Sequence, residues 1–311
     1  MTPDLPANVA AVVEQDSATS TQFFEREIDT KDGPRRYKIF VPKSYDRKKP
    51  IPLIVVLHGC TQDPDDVARG TRFNEMAEAN GFVVAYPEQP QKYNGLKCWN
   101  WFDQAHQKRD AGEPALIASI TQRVINDYSI DARRVYIVGL SAGGAMALTV
   151  AYAYPELFAA AGIHSGIAYG AVGSVAEAVT AMHAGAPIPS GLAARVVSGM
   201  GSRRSFPAIV FQGRSDKSVN VINADQIVSQ LAESFDPRVA KLSEESGESA
   251  AGYHYTRRIY GNGRAMIEEW IVDELGHAWS GGSKEGTYTD PDGPDAGKEM
   301  VRFFLEHPRG Q

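Results

Sequence analysis

The sequence predicts an α/β fold in which a mostly parallel central sheet has helices on both faces. Short β-branched runs without polar alternation indicate strands that are covered on both sides. Segments with helical periodicity lie between these runs, and strands that alternate with helices form parallel sheets through right-handed crossovers. With 43% hydrophobic and 23% charged residues, the chain has the composition of a globular protein. The predicted strands are Leu53–Leu57, Phe82–Tyr86, Val135–Val138 and Ala208–Phe211.

An antiparallel hairpin is predicted ahead of the parallel strands. Two alternating segments, Phe23–Ile28 and Arg36–Val41, lie on either side of an Asp-Gly-Pro turn at residues 32–34. Polar and small side chains over residues 1–20 indicate a flexible arm before the hairpin. We therefore expect this arm and then one domain over residues 21–311, a length that a single large α/β core can organise.

Helices are predicted where apolar residues repeat at helical spacing between the strands. One helix begins at Pro114 and presents an apolar face as far as Tyr128. Another follows Ser141 and ends at the Tyr-Pro pair of residues 154–155. A last helix covers Asp295–Leu305, with Asp295 as its N-cap.

Three segments depart from the alternation of strand and helix. The Gly-Asn-Gly sequence at 261–263 predicts a hairpin between the strand-like residues 253–260 and 266–272. Residues 166–205 are rich in Gly, Ala, Ser and Pro and too long for a simple connection. We interpret them as an insertion that either covers the site as a partial lid or only borders it. The polar and acidic residues 234–252 are predicted to form a solvated loop.

Charge and hydropathy exclude several classes of partner. The 32 Lys and Arg residues against 38 Asp and Glu residues give a net charge of −6, which attracts neither nucleic acid nor an anionic membrane surface. No apolar run approaches the roughly 20 residues that cross a bilayer. The first residues show neither the basic start nor the apolar segment of a secretory signal. Composition gives no oligomeric state.

The segment Val135–Gly144 carries the strongest chemical signal, because a buried strand enters Gly-x-Ser-x-Gly and continues directly into a helix. Gly139 and Gly143 permit the tight turn that lifts the Ser141 hydroxyl to the sheet edge at a helix N-terminus. The pattern predicts that Ser141 is a nucleophile. The alternative is a glycine-rich nucleotide-binding turn, but Gly-x-Gly-x-x-Gly and Gly-Lys-Ser/Thr are absent, so no cofactor is expected.

A serine nucleophile needs a general base, and the base needs a carboxylate that orients it. In this architecture the carboxylate follows the serine along the chain, and the histidine follows the carboxylate. Of seven histidines, His277 lies in a glycine-flanked loop after a strand and is the predicted base. Asp216 follows the strand Ala208–Phe211 and is the predicted carboxylate, with Asp225 and Asp273 as alternatives.

Acyl transfer also needs N–H donors for the oxyanion of the tetrahedral intermediate. Ala142, the residue after the nucleophile, supplies one backbone N–H. The second is expected from the loop after an early strand, where His58-Gly59 is followed by a small residue. The Cys60 N–H is therefore the predicted second donor, and an ordinary turn at the strand end is the alternative.

Four motifs follow one another along the chain: Leu57-His58-Gly59-Cys60-Thr61-Gln62, Lys97-Cys98-Trp99-Asn100-Trp101-Phe102, Gly139-Leu140-Ser141-Ala142-Gly143-Gly144 and Gly276-His277-Ala278-Trp279-Ser280-Gly281-Gly282. Together they resemble the polyhydroxybutyrate depolymerase-like esterases, a branch of the α/β-hydrolases related to feruloyl and acetylxylan esterases. The resemblance covers about residues 37–304, nearly the whole chain. It implies an α/β-hydrolase fold with Ser141, Asp216 and His277 as the catalytic triad.

The resemblance further implies that Cys60 and Cys98, the only two cysteines, form a disulfide between the oxyanion loop and the aromatic loop. A disulfide favours an oxidising compartment, so a secreted or periplasmic location is expected. A cytoplasmic location stays open, because the sequence shows no signal peptide.

Aromatic residues beside these motifs are the expected substrate contacts, because aromatic walls suit an acyl chain or a phenolic ring. Trp99 and Trp279 are predicted to line the site, with His164 at the end of a strand as a further lining residue; core packing is the alternative. The three carboxylates of Asp290–Asp295 lack the spacing of a calcium-binding loop, so no metal is expected.

The predicted function is a serine carboxylic-ester hydrolase that acts through an acyl-enzyme. Its expected partner is a small or oligomeric ester, most simply a short-chain hydroxyalkanoate of the polyhydroxybutyrate type. A feruloyl or acetylxylan esterase is the alternative activity. An alternative of another class is a catalytically silent α/β-hydrolase scaffold that only binds, which a complete Ser-Asp-His set disfavours.

Overall fold

The β-branched runs predicted as buried strands form the centre of a ten-stranded sheet. The computed structural model describes residues 22–31, 33–187, 205–235 and 238–310. The predicted arm over residues 1–20 and the later part of the predicted insertion lie outside the described residues. The strands of the sheet are β1 (Phe23–Ile28), β2 (Arg35–Phe40), β3 (Ile51–Leu57), β4 (Val83–Pro87), β5 (Ile130–Leu140), β6 (Ala160–His164), β7 (Ala208–Gly213), β8 (Ala240–Glu248), β9 (His254–Gly261) and β10 (Ala265–Val272).

Parallel pairing is confined to the middle of the sheet. The strand order is β1-β2-β4-β3-β5-β6-β7-β10-β9-β8, and the six strands from β4 to β10 in this order are parallel. An antiparallel pair closes each edge, β1 with β2 on one side and β9 with β8 on the other. The prediction of a mostly parallel sheet with an N-terminal hairpin is confirmed, and so is the late hairpin between β9 and β10.

Seven α-helices are described, and they cover both faces of the sheet. Alternate residues of β3 separate the two cores: Leu53 and Val55 belong to one apolar cluster, and Ile54 and Val56 to the other. Helices α3 to α6 cover the first face, and α1, α2 and α7 cover the second. Among these described helices, none combines the length and apolar character that crossing a membrane requires. The helices are α1 (Pro64–Thr71), α2 (Phe73–Asn80), α3 (Gly112–Asp127), α4 (Ala142–Ala153), α5 (Val175–Ala184), α6 (Ile222–Ser234) and α7 (Ala296–Glu306).

The prediction of a solvated loop over residues 234–252 is wrong, because Ala240–Glu248 forms the edge strand β8. Its side chains are almost all exposed, so the strand carries no apolar pattern. Ion pairs across the sheet replace that pattern: Arg258 Nε donates to Glu244 at 2.9 Å, and an Arg257 guanidinium nitrogen donates to Glu245 at 2.8 Å. Charged pairs directly opposite each other stabilise an exposed edge.

The described part of the predicted insertion contains helix α5. Ser174 is its N-cap and accepts a hydrogen bond from the Glu177 N–H, while Ala178 and Ala181 face the core. Val175 and Val179 on the same helix are exposed. Whether the insertion acts as a lid stays a prediction, because residues 188–204 lie outside the described part of the chain.

A disulfide joins Cys60 to Cys98, with a sulfur–sulfur distance of 2.03 Å. It connects the loop after β3 with the loop after β4, two neighbouring parallel strands whose ends lie at the same edge of the sheet. The pairing that the resemblance implied is therefore confirmed.

We expect the double variant Cys60→Ser/Cys98→Ser to lose roughly 3–4 kcal/mol of unfolding free energy. The disulfide closes a loop of 38 residues, and opening it restores conformational entropy to the unfolded chain. Urea denaturation measures the loss, with reductant-treated wild-type protein as the matched control. A double variant as stable as the oxidised wild-type protein would contradict the expectation.

Two histidines are fully buried at the carboxyl edge of the sheet, His58 after β3 and His164 at the end of β6. The His164 ring stacks against Phe211 and Trp279, and its Nε2 accepts a hydrogen bond from the Ser280 N–H at 3.1 Å. Burial lowers the pKa of His58 to about 4 and that of His164 to about 3. Both rings are therefore neutral in the folded protein near neutral pH.

Because these two rings are neutral in the folded protein, we expect its unfolding free energy to decrease in acid. An unfolded histidine binds its proton at about pH 6.5, so between pH 6.5 and 4 the unfolded chain binds more protons than the folded one. The unfolding free energy should therefore fall as pH decreases, by about 2.4 kcal/mol between pH 6 and 5 for the two rings.

His164→Gln tests the share of one ring, because the amide keeps an acceptor for Ser280 and does not titrate. Urea denaturation at several pH values should show about half the wild-type slope between pH 6 and 5. An unchanged slope in this variant would show that His164 is not responsible.

Candidate active site

Ser141 stands at the sharp turn between β5 and α4. Its backbone has φ 57° and ψ −120°, a conformation that residues with side chains rarely adopt. The backbone N–H of Ser141 donates to the His164 carbonyl oxygen at 2.8 Å, which fixes the turn against the neighbouring strand β6. The turn therefore presents the hydroxyl at the carboxyl edge of the sheet.

Two glycines make this turn possible. A side chain on Gly139 would bring its Cβ within 2.3 Å of the Gly143 carbonyl carbon and oxygen. A Cβ on Gly143 would lie 2.3 Å from the Leu57 carbonyl oxygen and 2.6 Å from that of His58. Helix α4 thus packs backbone to backbone against the end of β3, which only glycine allows.

His277 lies on the loop after β10 and reaches the serine directly. Its Nε2 is 2.9 Å from Ser141 Oγ, and its Nδ1 is 2.7 Å from Asp216 Oδ2. The imidazole side chain is 16% exposed, so one edge remains accessible from outside. The structure therefore brings the three predicted residues into one continuous hydrogen-bonded chain.

Asp216 is held by several donors on the loop after β7. Its Oδ1 accepts the backbone N–H groups of Ser218 and Val219, each at 2.8 Å, and its Oδ2 accepts Gln212 Nε2 at 3.1 Å. Burial alone would raise the pKa of this carboxyl, but the His277 imidazole and the two backbone amides outweigh burial and leave the pKa below its usual value. Asp216 is therefore an ionised carboxylate with a fixed orientation.

The two alternative carboxylates are placed elsewhere. Asp225 lies in the first turn of α6. Asp273 is exposed and forms an ion pair with Arg214, with a nitrogen–oxygen distance of 2.7 Å. Asp216 is the carboxylate whose oxygen contacts His277.

The β3 loop, residues His58–Gln62, lies against the serine. A Cβ built on Gly59 would be 3.7 Å from Ser141 Cβ. The Gly59 N–H donates to Gln62 Oε1 at 2.8 Å, and the Thr61 N–H donates to the Leu96 carbonyl oxygen at 2.6 Å. The Cys60 N–H between them has no protein acceptor in the part of the chain that is described.

Ala142 is the first residue of α4, and an N–H in the first turn of a helix has no partner within the helix. The positive end of the helix dipole favours negative charge at this position. The Ala142 N–H at the start of α4 is thus available for an oxyanion, as the sequence predicts.

Gln62 is a site residue that the sequence analysis did not single out. The side chain is buried, and its Nε2 donates to Asp66 Oδ2 at 2.9 Å and to the Thr287 carbonyl oxygen at 3.0 Å. Together with its bond to Gly59, these contacts tie the β3 loop to the chain segment that follows His277. Its place in the His-Gly-Cys-Thr-Gln motif was the available signal.

The residues predicted to line the substrate site are buried in the core instead. Trp99, Trp279 and His164 are at most 1% exposed. Trp99 Nε1 donates to the His58 carbonyl oxygen at 3.1 Å, and Trp279 stacks on His164 with ring centroids 5.0 Å apart. We therefore correct their roles: these rings fill the space beneath the site loops and do not face outward.

Two exposed side chains that the sequence analysis did not name contact residues of the site loops: Tyr288 lies beside His277, and Leu96 lies beside Thr61 of the β3 loop. Tyr288 is 47% exposed, with its ring centroid 6.5 Å from that of His277 and its hydroxyl 3.3 Å from Thr61 Oγ1. Leu96 is 64% exposed, and its carbonyl oxygen accepts the Thr61 N–H. Tyr288 lies outside the four motifs, and Leu96 directly precedes the motif that begins at Lys97.

The described residues contain no group of three or more His, Cys, Asp or Glu side chains placed to hold a metal ion. Within the Asp290–Asp295 segment, Asp295 caps α7 by accepting the Lys298 N–H at 2.9 Å. Asp290 accepts a hydrogen bond from the Tyr253 hydroxyl at 3.1 Å. These two carboxylates thus have structural partners.

The sequence of the chain is similar to those of known esterases. The family model described as "Esterase PHB depolymerase" matches residues 36–251. A poly(3-hydroxyalkanoate) depolymerase C from Paucimonas lemoignei is 30% identical over 77% of the chain, and the match spans 56% of that protein's own length. A feruloyl esterase B from Thermothelomyces thermophilus is 29% identical over 77% of the chain and 82% of its own length.

Solved structures show the same fold. An acetyl xylan esterase from Aspergillus awamori superposes with a TM-score of 0.73 at 22% identity, over 91% of this chain and 99% of that one. The mostly parallel sheet, the helices on both faces and the strand–turn–helix at Ser141 together are the α/β-hydrolase fold. Because the family model matches well over half of the residues, the chain belongs to the PHB depolymerase family of esterases.

Proposed function

We propose that the protein is a serine carboxylic-ester hydrolase that works through an acyl-enzyme. One observation carries the proposal: Ser141 Oγ, the His277 imidazole and the Asp216 carboxylate form a continuous chain of hydrogen bonds of 2.9 and 2.7 Å. A serine held in this way beside available backbone N–H groups has the parts that acyl transfer requires.

The first half of the reaction transfers the acyl group to the serine. Ser141 Oγ attacks the ester carbonyl carbon while His277 Nε2 accepts the hydroxyl proton. Asp216 holds Nδ1–H and stabilises the imidazolium that forms, and its depressed pKa keeps it ionised during this step. When the tetrahedral intermediate collapses, the C–O bond to the alcohol breaks and Nε2 donates its proton to the departing oxygen.

The negative oxygen of the intermediate is assigned to the N–H groups of Cys60 and Ala142. Fixed backbone dipoles stabilise developing charge without reorganisation, and one such donor contributes about 3–4 kcal/mol in known enzymes. Two observations support this assignment of donors: the β3 loop lies against Ser141, and Ala142 is the first residue of α4.

Water completes the cycle. His277 Nε2 accepts a proton from the water molecule as its oxygen attacks the acyl carbon, and the proton then returns to Ser141 Oγ when the acid is released. No further group is needed, since the same base and the same N–H donors serve both halves of the reaction.

We propose short-chain hydroxyalkanoate esters and their oligomers as the substrates. The support is the family match together with the similarity to a poly(3-hydroxyalkanoate) depolymerase. The exposed ring of Tyr288 beside His277 adds an apolar surface that suits a short acyl chain.

A feruloyl or acetylxylan esterase is the second candidate, and the coverage of the relatives favours it. The feruloyl esterase is matched over 82% of its length, against 56% for the depolymerase. The exposed ring of Tyr288 beside His277 also offers a face on which a phenolic acyl group can stack.

We also propose that the protein works in an oxidising compartment, secreted or periplasmic. The support is the Cys60–Cys98 disulfide, because reducing compartments keep such pairs as thiols.

We expect Ser141→Ala to lower kcat for a short-chain nitrophenyl ester by at least about 10⁴-fold, because the variant lacks the nucleophile. Ser119→Ala is the matched control, since Ser119 lies exposed on α3 and should leave kcat unchanged. A spectrophotometric assay measures both variants. Hydrolysis that persists in Ser141→Ala would show that Ser141 is not the nucleophile, and a wild-type protein without activity on any ester would leave only the silent binding scaffold.

The substrate class is tested by kcat/KM for hydroxybutyrate dimers and trimers, amorphous polyhydroxybutyrate, methyl ferulate and acetylated xylan. We expect the highest kcat/KM for the hydroxybutyrate oligomers, because the family match and the similarity to a poly(3-hydroxyalkanoate) depolymerase favour this class of ester. A preference of 10-fold or more for methyl ferulate or acetylated xylan would replace this assignment with the second candidate.

A further inference from the structure

His58 lies beside the reacting groups but takes no part in the proposed chemistry. Its side chain is fully buried, so it contacts neither solvent nor substrate. It directly precedes Gly59, which approaches the serine, and Gly59 is followed by Cys60. A buried imidazole needs hydrogen-bond partners. The partners of His58 indicate its role.

The hydrogen bonds of His58 fix which nitrogen carries the proton. The Gln89 backbone N–H lies 3.0 Å from Nε2 and can only donate, so Nε2 is the acceptor. Burial lowers the pKa of His58 to about 4, so the ring is neutral and its single proton is on Nδ1. Nδ1 is 2.8 Å from the Gly59 carbonyl oxygen and therefore donates to it.

The Gly59 carbonyl and the Cys60 N–H belong to the same peptide unit. This unit is planar, and in the trans form its C=O and N–H bonds point in opposite directions. A hydrogen bond that holds the carbonyl towards His58 therefore holds the N–H away from His58. Gly59 has no side chain to restrict rotation of this unit, so the orientation depends on such a bond.

We propose that His58 is a positioning residue that orients the Cys60 N–H as an oxyanion donor through its Nδ1–H bond to the Gly59 carbonyl. The inference rests on the proposed function, because it assigns a role in that same reaction. It deepens the proposal by naming the group that holds the second donor in place.

The residues around His58 restrict its position. Trp99 Nε1 donates to the His58 carbonyl oxygen at 3.1 Å, and the two rings lie with centroids 5.6 Å apart. Gln89 is fully buried; its side chain donates to Glu113 and accepts from an Arg35 guanidinium nitrogen at 2.8 Å. The Gln89 N–H that fixes the tautomer is thus part of a buried polar network with little freedom to move.

Two substitutions separate orientation of the peptide from general support of the core. In His58→Asn, the side-chain NH2 group takes the place of Nδ1 and keeps a donor for the Gly59 carbonyl, while the acceptor for Gln89 is lost. In His58→Gln, the side-chain oxygen takes the place of Nε2 and keeps the acceptor, while the donor for Gly59 is lost. Each variant leaves one buried group unpaired, so both should be destabilised to a similar extent.

We expect His58→Gln to lower kcat by about 10- to 100-fold with KM changed less than 3-fold, because only the tetrahedral state uses the Cys60 N–H. Its affinity for a trifluoromethyl ketone, whose serine adduct carries an oxyanion, should fall by a similar factor. His58→Asn should lose less than about 5-fold in both quantities. Equal losses in the two variants, in step with their melting temperatures, would overturn the proposal.

A measurement on the wild-type protein decides the matter if the variants do not fold. With ¹⁵N-labelled histidine, NMR correlation through the ring should show His58 protonated at Nδ1 and unprotonated at Nε2 at pH 7. A ring protonated at Nε2 would overturn the proposal. This tautomer is independent of catalysis, so an inactive wild-type protein would count against the proposed function and not against the orientation of the peptide.

Discussion

The site depends on the close contact of backbone with backbone where α4 crosses the end of β3. Gly143 allows this contact, since a Cβ there would lie 2.3 Å from the Leu57 carbonyl oxygen, and Gly139 allows the turn into α4, since a Cβ there would lie 2.3 Å from the Gly143 carbonyl. The contact holds Ser141 in its strained conformation and places the β3 loop against the serine. One packing contact thus positions both the nucleophile and the loop that carries the proposed oxyanion donor.

Parallel strands explain how residues far apart in the chain meet at this point. Ser141 follows β5, Asp216 follows β7 and His277 follows β10, and these strands lie in the order β5-β6-β7-β10. Because all four run in the same direction, their carboxyl ends share one edge, where loops bring side chains together. The remaining strand of the four, β6, ends in His164. The buried ring of His164 accepts a hydrogen bond from the Ser280 N–H, shortly after His277 in the chain.

A second feature of this site is that the polar side chains that support the site loops are buried and hydrogen-bonded. Asp216, Gln62 and His58 are at most 6% exposed, and each has hydrogen bonds to backbone atoms of the site loops. Removal from water strengthens such bonds and makes an unpaired group costly, so the loops have few alternative arrangements. The proposed role of His58 is one case of this general arrangement.

The sequence by itself determined the alternation of strands and helices, the turn at Ser141, and the order in which carboxylate and histidine follow it. These features depend on local periodicity, on glycine and on chain order, which a single sequence displays. Tertiary structure decided what periodicity does not encode: that Ala240–Glu248 pairs as an edge strand through ion pairs, that Trp99, Trp279 and His164 lie inside, and that Tyr288 lies outside. The physical reason is that an aromatic ring beside a motif can fill the core or border the site, and only the elements packed above it determine which.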